Sequence, residues 1–228
     1  MSEALPTYIL SLPNSERRPI MQERLDALPM NLEVHWVDGI KLQSVNHCQY
    51  RDYALVEGYN NPRLSTSSAY IKAVAGTKFA HMKKLMEVEK RTEPWVLCME
   101  DDVTFMPWFP KAVEKAKEAP EDVGLVTLYR AHPTNIHNIP ESMGDPEVVE
   151  GNTYIRGLVC YLVRPAFAKD MLQALETWCQ GECDIILEYL RTVQKKKFWL
   201  IEAVTTGDMV SELNPVHLPG FESATRKN

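Results

Sequence analysis

Three consecutive acids, Glu100, Asp101 and Asp102, follow directly on an apolar run that begins at residue 95. Clustered carboxylates repel one another and are costly to bury unpaired. A divalent cation such as Mg²⁺ or Mn²⁺ removes that conflict, because it prefers oxygen ligands and often binds one or two carboxylates together with phosphate oxygens. The triplet therefore indicates either a metal site for a diphosphate, with Asp102 as ligand assisted by Asp101 or Glu100, or a solvated acidic turn.

The elements around the triplet indicate how the chain would position it. Short apolar runs, typical of buried strands, alternate with patterns of helical period, which predicts an α/β domain with a largely parallel sheet. Ligands of such sheets bind outside the carboxyl ends of the strands. The triplet stands at the end of a predicted strand, which favours a ligand-binding interpretation. We predict a single domain over residues 1–228, a length typical of one large domain.

The strands are predicted at 7–12, 32–37, 95–100, 123–129, 157–163 and 197–204. Helical patterns are found in "NSERRPIMQERLDALP", over 67–90, and in "WFPKAVEKAKEAP", "PAFAKDMLQALETW" and "CDIILEYLRTV". Gly76 interrupts the long pattern, which leaves open one helix or two. Residues 130–156 hold few apolar runs, and a loop of that length is typical of a functional or mobile segment.

Composition and charge argue against several classes of function. The formal net charge is −6 over 228 residues, whereas nucleic-acid-binding domains usually carry a basic surface. Cys179 and Cys183 are the one close pair among five cysteines, so no zinc set is complete and we expect reduced thiols. No apolar run approaches the roughly 18 residues that span a bilayer, and the N-terminus lacks a signal-peptide pattern. We therefore expect a cytoplasmic protein.

Five segments, in order, carry a resemblance to a known family. They are "YILSLPNSERRPIMQERL", "WVDGI", "AGTKFAHMKKLMEVEKRTEPWVLCMEDDVTF", "GLVCYLVRPAFAKDML" and "ECDIILEYL", within residues 7–190. The chain resembles glycosyltransferase family 25, which includes bacterial lipooligosaccharide galactosyltransferases and the procollagen galactosyltransferases. It departs from the family pattern at Thr77, where the family often has Cys, and at Ala80, where the family often has Ser.

The resemblance implies a GT-A fold, in which a Rossmann-like domain with a mostly parallel central sheet flanked by helices binds a nucleotide sugar. It also implies an Asp-x-Asp-type motif that holds Mn²⁺ or Mg²⁺, to which Glu100-Asp101-Asp102 corresponds. Asp102 would then be a metal ligand, and Glu100 or Asp101 would lie closer to the donor's ribose or sugar. The implied reaction moves a sugar from a nucleotide diphosphate donor, with UDP favoured, to an acceptor hydroxyl by an inverting, metal-dependent displacement.

Residues at the ends of the first two strands are candidates for the donor site. Ser11, Arg17 and Arg18 follow the first strand and would meet the uracil, ribose or phosphate. The alternative for these three is a polar helix start with two surface arginines. Asp38 ends the second strand and would hydrogen-bond the nucleotide, or else form a simple turn with Gly39.

Residues further along the chain would complete the site. His81 would contact the donor or serve as a structural hydrogen-bonding residue, and Lys78 is a candidate for phosphate binding. The resemblance favours Asp184 as the general base that takes the proton of the attacking hydroxyl, with Glu182 as its rival. A first-turn acid favoured by the helix dipole is the structural alternative for Asp184. His217 would be a second metal ligand or a surface loop histidine.

Two other functions stay open. A nucleotidyltransferase on a similar scaffold also needs acids and Mg²⁺, but usually has a Gly-rich, basic loop after the first strand, and "LPNSERR" has no glycine. A non-catalytic relative would bind a sugar nucleotide or a protein partner without turnover. The acceptor would be a glycan, a protein or a modified nucleobase, in the cytoplasm of a bacterium or a virus-infected host cell. The lysines at 83–84 and 195–197 indicate solvated faces or contact with an anionic acceptor.

Overall fold

A computed structural model describes residues 3–41, 68–129, 148–150, 157–177, 183 and 185–206. The strands are β1 (Leu5–Ser11), β2 (Leu32–Asp38), β3 (Val96–Glu100), β4 (Val103–Phe105), β5 (Val123–Tyr129), β6 (Val149–Glu150), β7 (Cys160–Val163) and β8 (Lys197–Thr206). The helices are α1 (Arg17–Asp26), α2 (Ser68–Val88), α3 (Phe109–Lys117), α4 (Pro165–Thr177) and α5 (Ile185–Thr192).

The strands form one mixed sheet in the order β2-β1-β3-β7-β5-β8-β4, with β6 also paired to β8. β1 pairs in parallel with β2 and β3, and β5 pairs in parallel with β8. β7 runs antiparallel between β3 and β5, and β4 and β6 run antiparallel to β8. The predicted α/β class is confirmed, but the mostly parallel sheet is corrected to a mixed one. A strand buried on both faces has the same apolar run in either direction, so the sequence did not reveal the direction of β7.

Helices cover both faces of this sheet. Alternate side chains of a strand point to opposite faces, so Ile9 and Leu97 belong to one core with residues of α1 and α3. Leu10 and Cys98 belong to the second core, with residues of α2, α4 and α5. All seven residues of β1 are buried, which explains its continuous apolar run.

A glycine lets α4 lie close against the sheet. A Cβ atom at Gly124 on β5 would lie 2.2 Å from Cδ2 of Phe167 on α4, far closer than carbon atoms in contact. The Phe167 ring packs edge-on against Phe198 of β8, with the ring centroids 5.6 Å apart. The second core is therefore closed by an aromatic pair that occupies the space above Gly124.

Each strand and helix that the sequence predicts has a counterpart in the structure. The long helical pattern forms one helix, α2, which continues through Gly76, so the two-helix alternative is wrong. β4 and β6 were not predicted, since three and two residues are too few to show a period. β6 lies in the predicted loop at 130–156, whose remaining residues fall outside the described ranges except 148. Of the helices described, none has the length and apolar character to cross a membrane.

Candidate functional site

The carboxyl ends of three parallel strands meet at one edge of the sheet. Ser11 at the end of β1 is in register with Asp38 at the end of β2, and β3 ends beside them at Glu100. Asp101 and Asp102 form the turn from β3 into β4. We call these five residues the carboxyl edge. The parallel pairing thus brings together polar groups that are far apart in the sequence.

The loop from β1 to α1 turns toward this edge without a glycine. Asn14 adopts a φ of 60°, in the left-handed region that asparagine tolerates better than most residues. The Ser15 hydroxyl accepts a hydrogen bond from the backbone N–H of Arg17 at 3.2 Å, which satisfies a donor at the start of the helix. α1 therefore begins beside the end of β1, and its first two residues reach the carboxyl edge.

Asp101 accepts hydrogen bonds from three side chains. The hydroxyls of Ser11 and Ser15 donate to Oδ2 at 2.6 and 3.1 Å, and the Arg17 guanidinium donates to Oδ1 at 3.3 Å. Ser11 and Asp101 are both buried. Asp101 thus connects the end of β1, the loop and the first turn of α1. Its predicted contact with a donor molecule stays a prediction.

The two arginines at the start of α1 bind different acids. Arg17, which donates a hydrogen bond to Asp101, also lies 3.7 Å from Oδ2 of Asp102. Arg18 forms an ion pair with Asp38 at 2.5 Å and lies over the Trp36 ring, 5.3 Å from its centroid. The hydrogen bond from Arg18 lowers the pKa of Asp38. Both arginines therefore lie at the carboxyl edge, each against a carboxylate, and their predicted contacts with a donor stay predictions.

A third arginine of α1 fixes the far side of the acidic turn. Arg24 donates hydrogen bonds to the carbonyl of Val103 at 3.0 Å and to the hydroxyl of Thr104 at 2.9 Å, both on β4. α1 buries only Met21 and Leu25. Polar contacts to the strand ends therefore contribute much of what docks this helix.

The two carboxylate oxygens of Asp102 lie in different surroundings. Its Oδ1 is buried and has no partner in the described part of the chain, while its side chain as a whole is 29% exposed. Burial and the charge of Glu100 raise the pKa of Asp102 to about 7; the charge of Asp101 adds to this, and Arg17 opposes it. An ionised carboxylate in this position would be stabilised by a bound cation.

α2 packs over the end of β3 with buried basic side chains. His81 Nε2 lies 3.1 Å from Oε1 of Glu100, and Lys78 is buried one turn earlier in the helix. Burial raises the pKa of Glu100; the charge of Lys84 opposes this, and that of Asp101 reinforces it. His81 is therefore a structural partner of the triplet, and the donor contacts predicted for His81 and Lys78 stay predictions.

Lys84 is a site residue that the sequence analysis missed. Lys83 is exposed, but Lys84 is fully buried, so the solvated-face interpretation is wrong for Lys84. The signal lay in the spacing, because Lys84 follows His81 by three residues and so shares its side of the helix. The second lysine run, at 195–197, contributes two surface ion pairs.

The described residues hold no group of three His, Cys, Asp or Glu side chains that could bind a metal ion by themselves. The carboxylates of the acidic triplet do fit an ion that binds one or two carboxylates and completes its coordination with phosphate oxygens and water, as Mg²⁺ commonly does. The buried Oδ1 of Asp102 is the oxygen that such an ion would use, with Glu100 as the second acid. His217, predicted as another ligand, lies outside the described residues.

The remaining predicted residues divide into those that the structure brings together and those that it does not describe. The catalytic acids predicted from the resemblance, Glu182 and Asp184, lie outside the described ranges. The other predicted residues except Lys78 form two contact groups. Ser11 and Arg17 lie with Asp101 and Asp102, and Arg18 joins Asp38 to this group through the carbonyl of Ser11. The second group is His81 with Glu100.

A scan against protein-family models and a search of curated proteins find no match to this chain. The resemblance to glycosyltransferase family 25 therefore rests on the motifs of the chain itself. Function has to be inferred from those motifs and from the geometry of the carboxyl edge.

Proposed function

We propose that this protein is a glycosyltransferase of the GT-A type that moves a sugar from a nucleotide diphosphate, with UDP as the favoured nucleotide, to an acceptor hydroxyl. The observation that carries the proposal is the buried Oδ1 of Asp102, which has no partner among the described residues and belongs to an acidic triplet at the carboxyl edge. Ligands of α/β sheets bind at this edge. A half-buried acid with a raised pKa is more typical of a functional site than of a solvated turn.

The acids and Arg17 would act on the donor's diphosphate. Asp102, with Glu100 as second acid, would hold Mn²⁺ or Mg²⁺. When bound, such an ion neutralises the charge that develops on the departing diphosphate. Arg17 is 21% exposed and lies against two aspartates, and its guanidinium is suited to bind phosphate oxygens.

The pair of Arg18 and Asp38 is suited to the nucleoside. More than half of the Asp38 side chain is exposed, and its lowered pKa keeps it ionised at neutral pH. An exposed carboxylate accepts hydrogen bonds from ribose hydroxyls or from an N–H of the base. Arg18 orients that carboxylate and also donates a hydrogen bond to the carbonyl of Ser11 at 3.2 Å. The Asp38 carboxylate is therefore held at the end of the sheet.

The transfer would be a direct displacement. The acceptor oxygen forms a bond to the anomeric carbon, the bond from that carbon to the diphosphate oxygen breaks, and the hydroxyl proton passes to a carboxylate base. The resemblance assigns the base to Asp184, with Glu182 as its rival. The products are a glycosylated acceptor of inverted anomeric configuration and a nucleoside diphosphate.

Calorimetric titration with a panel of UDP-sugars, with Mn²⁺ and with a chelator, tests the proposal. Asp102→Asn is compared with Asp122→Asn, which removes the same charge from an exposed acid that pairs with Lys197. We expect the wild type and Asp122→Asn to bind one UDP-sugar in the presence of Mn²⁺ only. Asp102→Asn should bind it roughly tenfold to hundredfold more weakly, the loss typical of a charged contact.

Turnover distinguishes the neighbouring functions. A glycosyltransferase releases UDP from the bound donor when a suitable acceptor is present, whereas a nucleotidyltransferase releases pyrophosphate from a nucleoside triphosphate, and a binding protein releases neither. If no nucleotide sugar binds the wild type with or without Mn²⁺, the proposed function is wrong.

A further inference from the structure

Lys84 is a basic residue inside the core. Its side chain is fully buried, and Nζ has no hydrogen-bond acceptor within the described residues. The nitrogen lies 5.0 Å from the centroid of the Tyr161 ring on β7, a distance at which the face of the ring attracts a cation. Such a contact offsets only part of the free energy lost when a charge is buried. A further attraction is therefore needed to hold a charged lysine here.

The acidic triplet supplies that attraction. Because strand side chains alternate in direction, Cys98 and Glu100 of β3 both point toward the face that α2 covers. His81 contacts Glu100 on this face, and Lys84 follows His81 by three residues, about 4.5 Å along the helix axis. Lys84 Nζ lies over Tyr161, which is in register with Cys98, two residues before Glu100 on the same face of β3. From there the lysine charge opposes the rise of the pKa of Glu100, without a direct ion pair between these two described side chains.

The triplet therefore lies between two cations. Arg17 contacts Asp101 and Asp102 from the partly exposed side, and Lys84 acts on Glu100 from the core. Even with all three carboxylates ionised, these two cations would leave a formal charge of only −1, which attracts a free divalent ion far less than three uncompensated carboxylates would. A diphosphate would bring the additional negative charge that such an ion requires.

We infer that Lys84 is a built-in counter-charge that weakens the binding of a free divalent cation at the triplet and makes the metal enter together with the donor's diphosphate. The inference rests on the proposed function, since it takes the triplet to be the site of the metal and the diphosphate. Lys84 is a positioning residue in this scheme, because it acts through Glu100 and touches neither the donor nor the metal.

The test compares titrations with MnCl₂ alone and with MnCl₂ in the presence of UDP. Lys84→Met removes the charge at similar side-chain length, but removing one partner of a buried pair of charges can destabilise a protein. Thermal unfolding of the variant verifies that it folds, and Lys84→Gln serves as a second neutral variant. Lys83→Met is the matched control, because it removes the same charge from the exposed neighbour, where water and salt screen it.

We expect free Mn²⁺ to bind Lys84→Met roughly tenfold or more tightly than the wild type, as the loss of a nearby unit charge inside a protein implies. Lys83→Met should match the wild type, and UDP should strengthen Mn²⁺ binding far more in the wild type than in Lys84→Met. Equal affinity of the wild type and Lys84→Met for free Mn²⁺, with UDP binding intact, would overturn this inference alone. Failure of UDP and of every UDP-sugar to bind the wild type would overturn the proposed function and the inference together.

Discussion

Asp102→Asn is expected to raise the stability of the metal-free protein at neutral pH. Burial and the charge of Glu100 raise the pKa of Asp102 from 3.8 to about 7 in the folded protein. The folded state therefore holds this proton more tightly than the unfolded chain does. The stability that protonated Asp102 contributes is complete below about pH 4 and is lost as the pH rises through about 7. Asparagine, which stays neutral, avoids that loss.

The size of the gain follows from the pKa and the exposure. A difference of about three pKa units corresponds to about 4 kcal/mol. Water reaches 29% of the Asp102 side chain and screens part of this effect, so we expect Asp102→Asn to gain about 2 kcal/mol above pH 7. For a chain of this length such a gain raises Tm by about 4–8 °C.

Urea unfolding in the presence of EDTA, at several values between about pH 4 and pH 8, measures the effect. The free energy of unfolding of the variant minus that of the wild type should be near zero at the acidic end, grow with pH and level off above about 7. Asp122→Asn is a control of opposite sign, because the hydrogen bond from Lys197 lowers the pKa of Asp122. A difference between wild type and Asp102→Asn that stays flat across this range would refute the reasoning and favour a solvated turn.

Three further predictions concern the contacts around the site and in the core. Ser11→Ala should lower the free energy of unfolding by about 1–2 kcal/mol, because it deletes a buried hydrogen bond to a carboxylate that keeps two other donors; an unchanged urea midpoint would contradict this. Gly124→Ala should lower it by more than about 1 kcal/mol through the clash with Phe167, and Phe167→Leu in the same chain should recover part of the loss. Cys98 and Cys160 should resist maleimide until the protein unfolds, since burial raises the pKa of both thiols, that of Cys98 to about 11. Mass spectrometry of the labelled native protein would reveal a reactive thiol if this is wrong.

Much of the fold could be predicted because most strands are continuous apolar runs. β1 is buried along its whole length, and β5 is buried along all but its last residue, so each shows as an apolar block between polar segments. The same burial hides the direction of a strand and the identity of its neighbours in the sheet. A strand with both faces covered has the same apolar sequence pattern in parallel and in antiparallel pairs. That is why β7 could be located but its reversed direction could not.

The candidate site was partly visible for a different reason. Three acids at the end of a buried strand are unfavourable without a ligand or a charged partner, so the triplet by itself predicts that one of these is present. The partners are invisible in the sequence, because the contacts of Asp101 come from residues 84 to 90 positions away. Lys84 was hidden by its exposed neighbour Lys83, since a pair of lysines normally indicates a solvated surface.

The contacts of α1 with the acidic turn join the beginning of the chain to its middle. An isolated helix of ten residues is marginal in water, and the hydrogen bonds from the α1 region to Asp101 close loops of more than eighty residues. Such distant contacts form slowly compared with a single helix. On the ribosome, α1 therefore lacks much of its anchor until β3 and the acidic turn have emerged. A nascent chain that stops short of Asp101 leaves Arg17 without its two aspartates and Arg24 without its acceptors on β4.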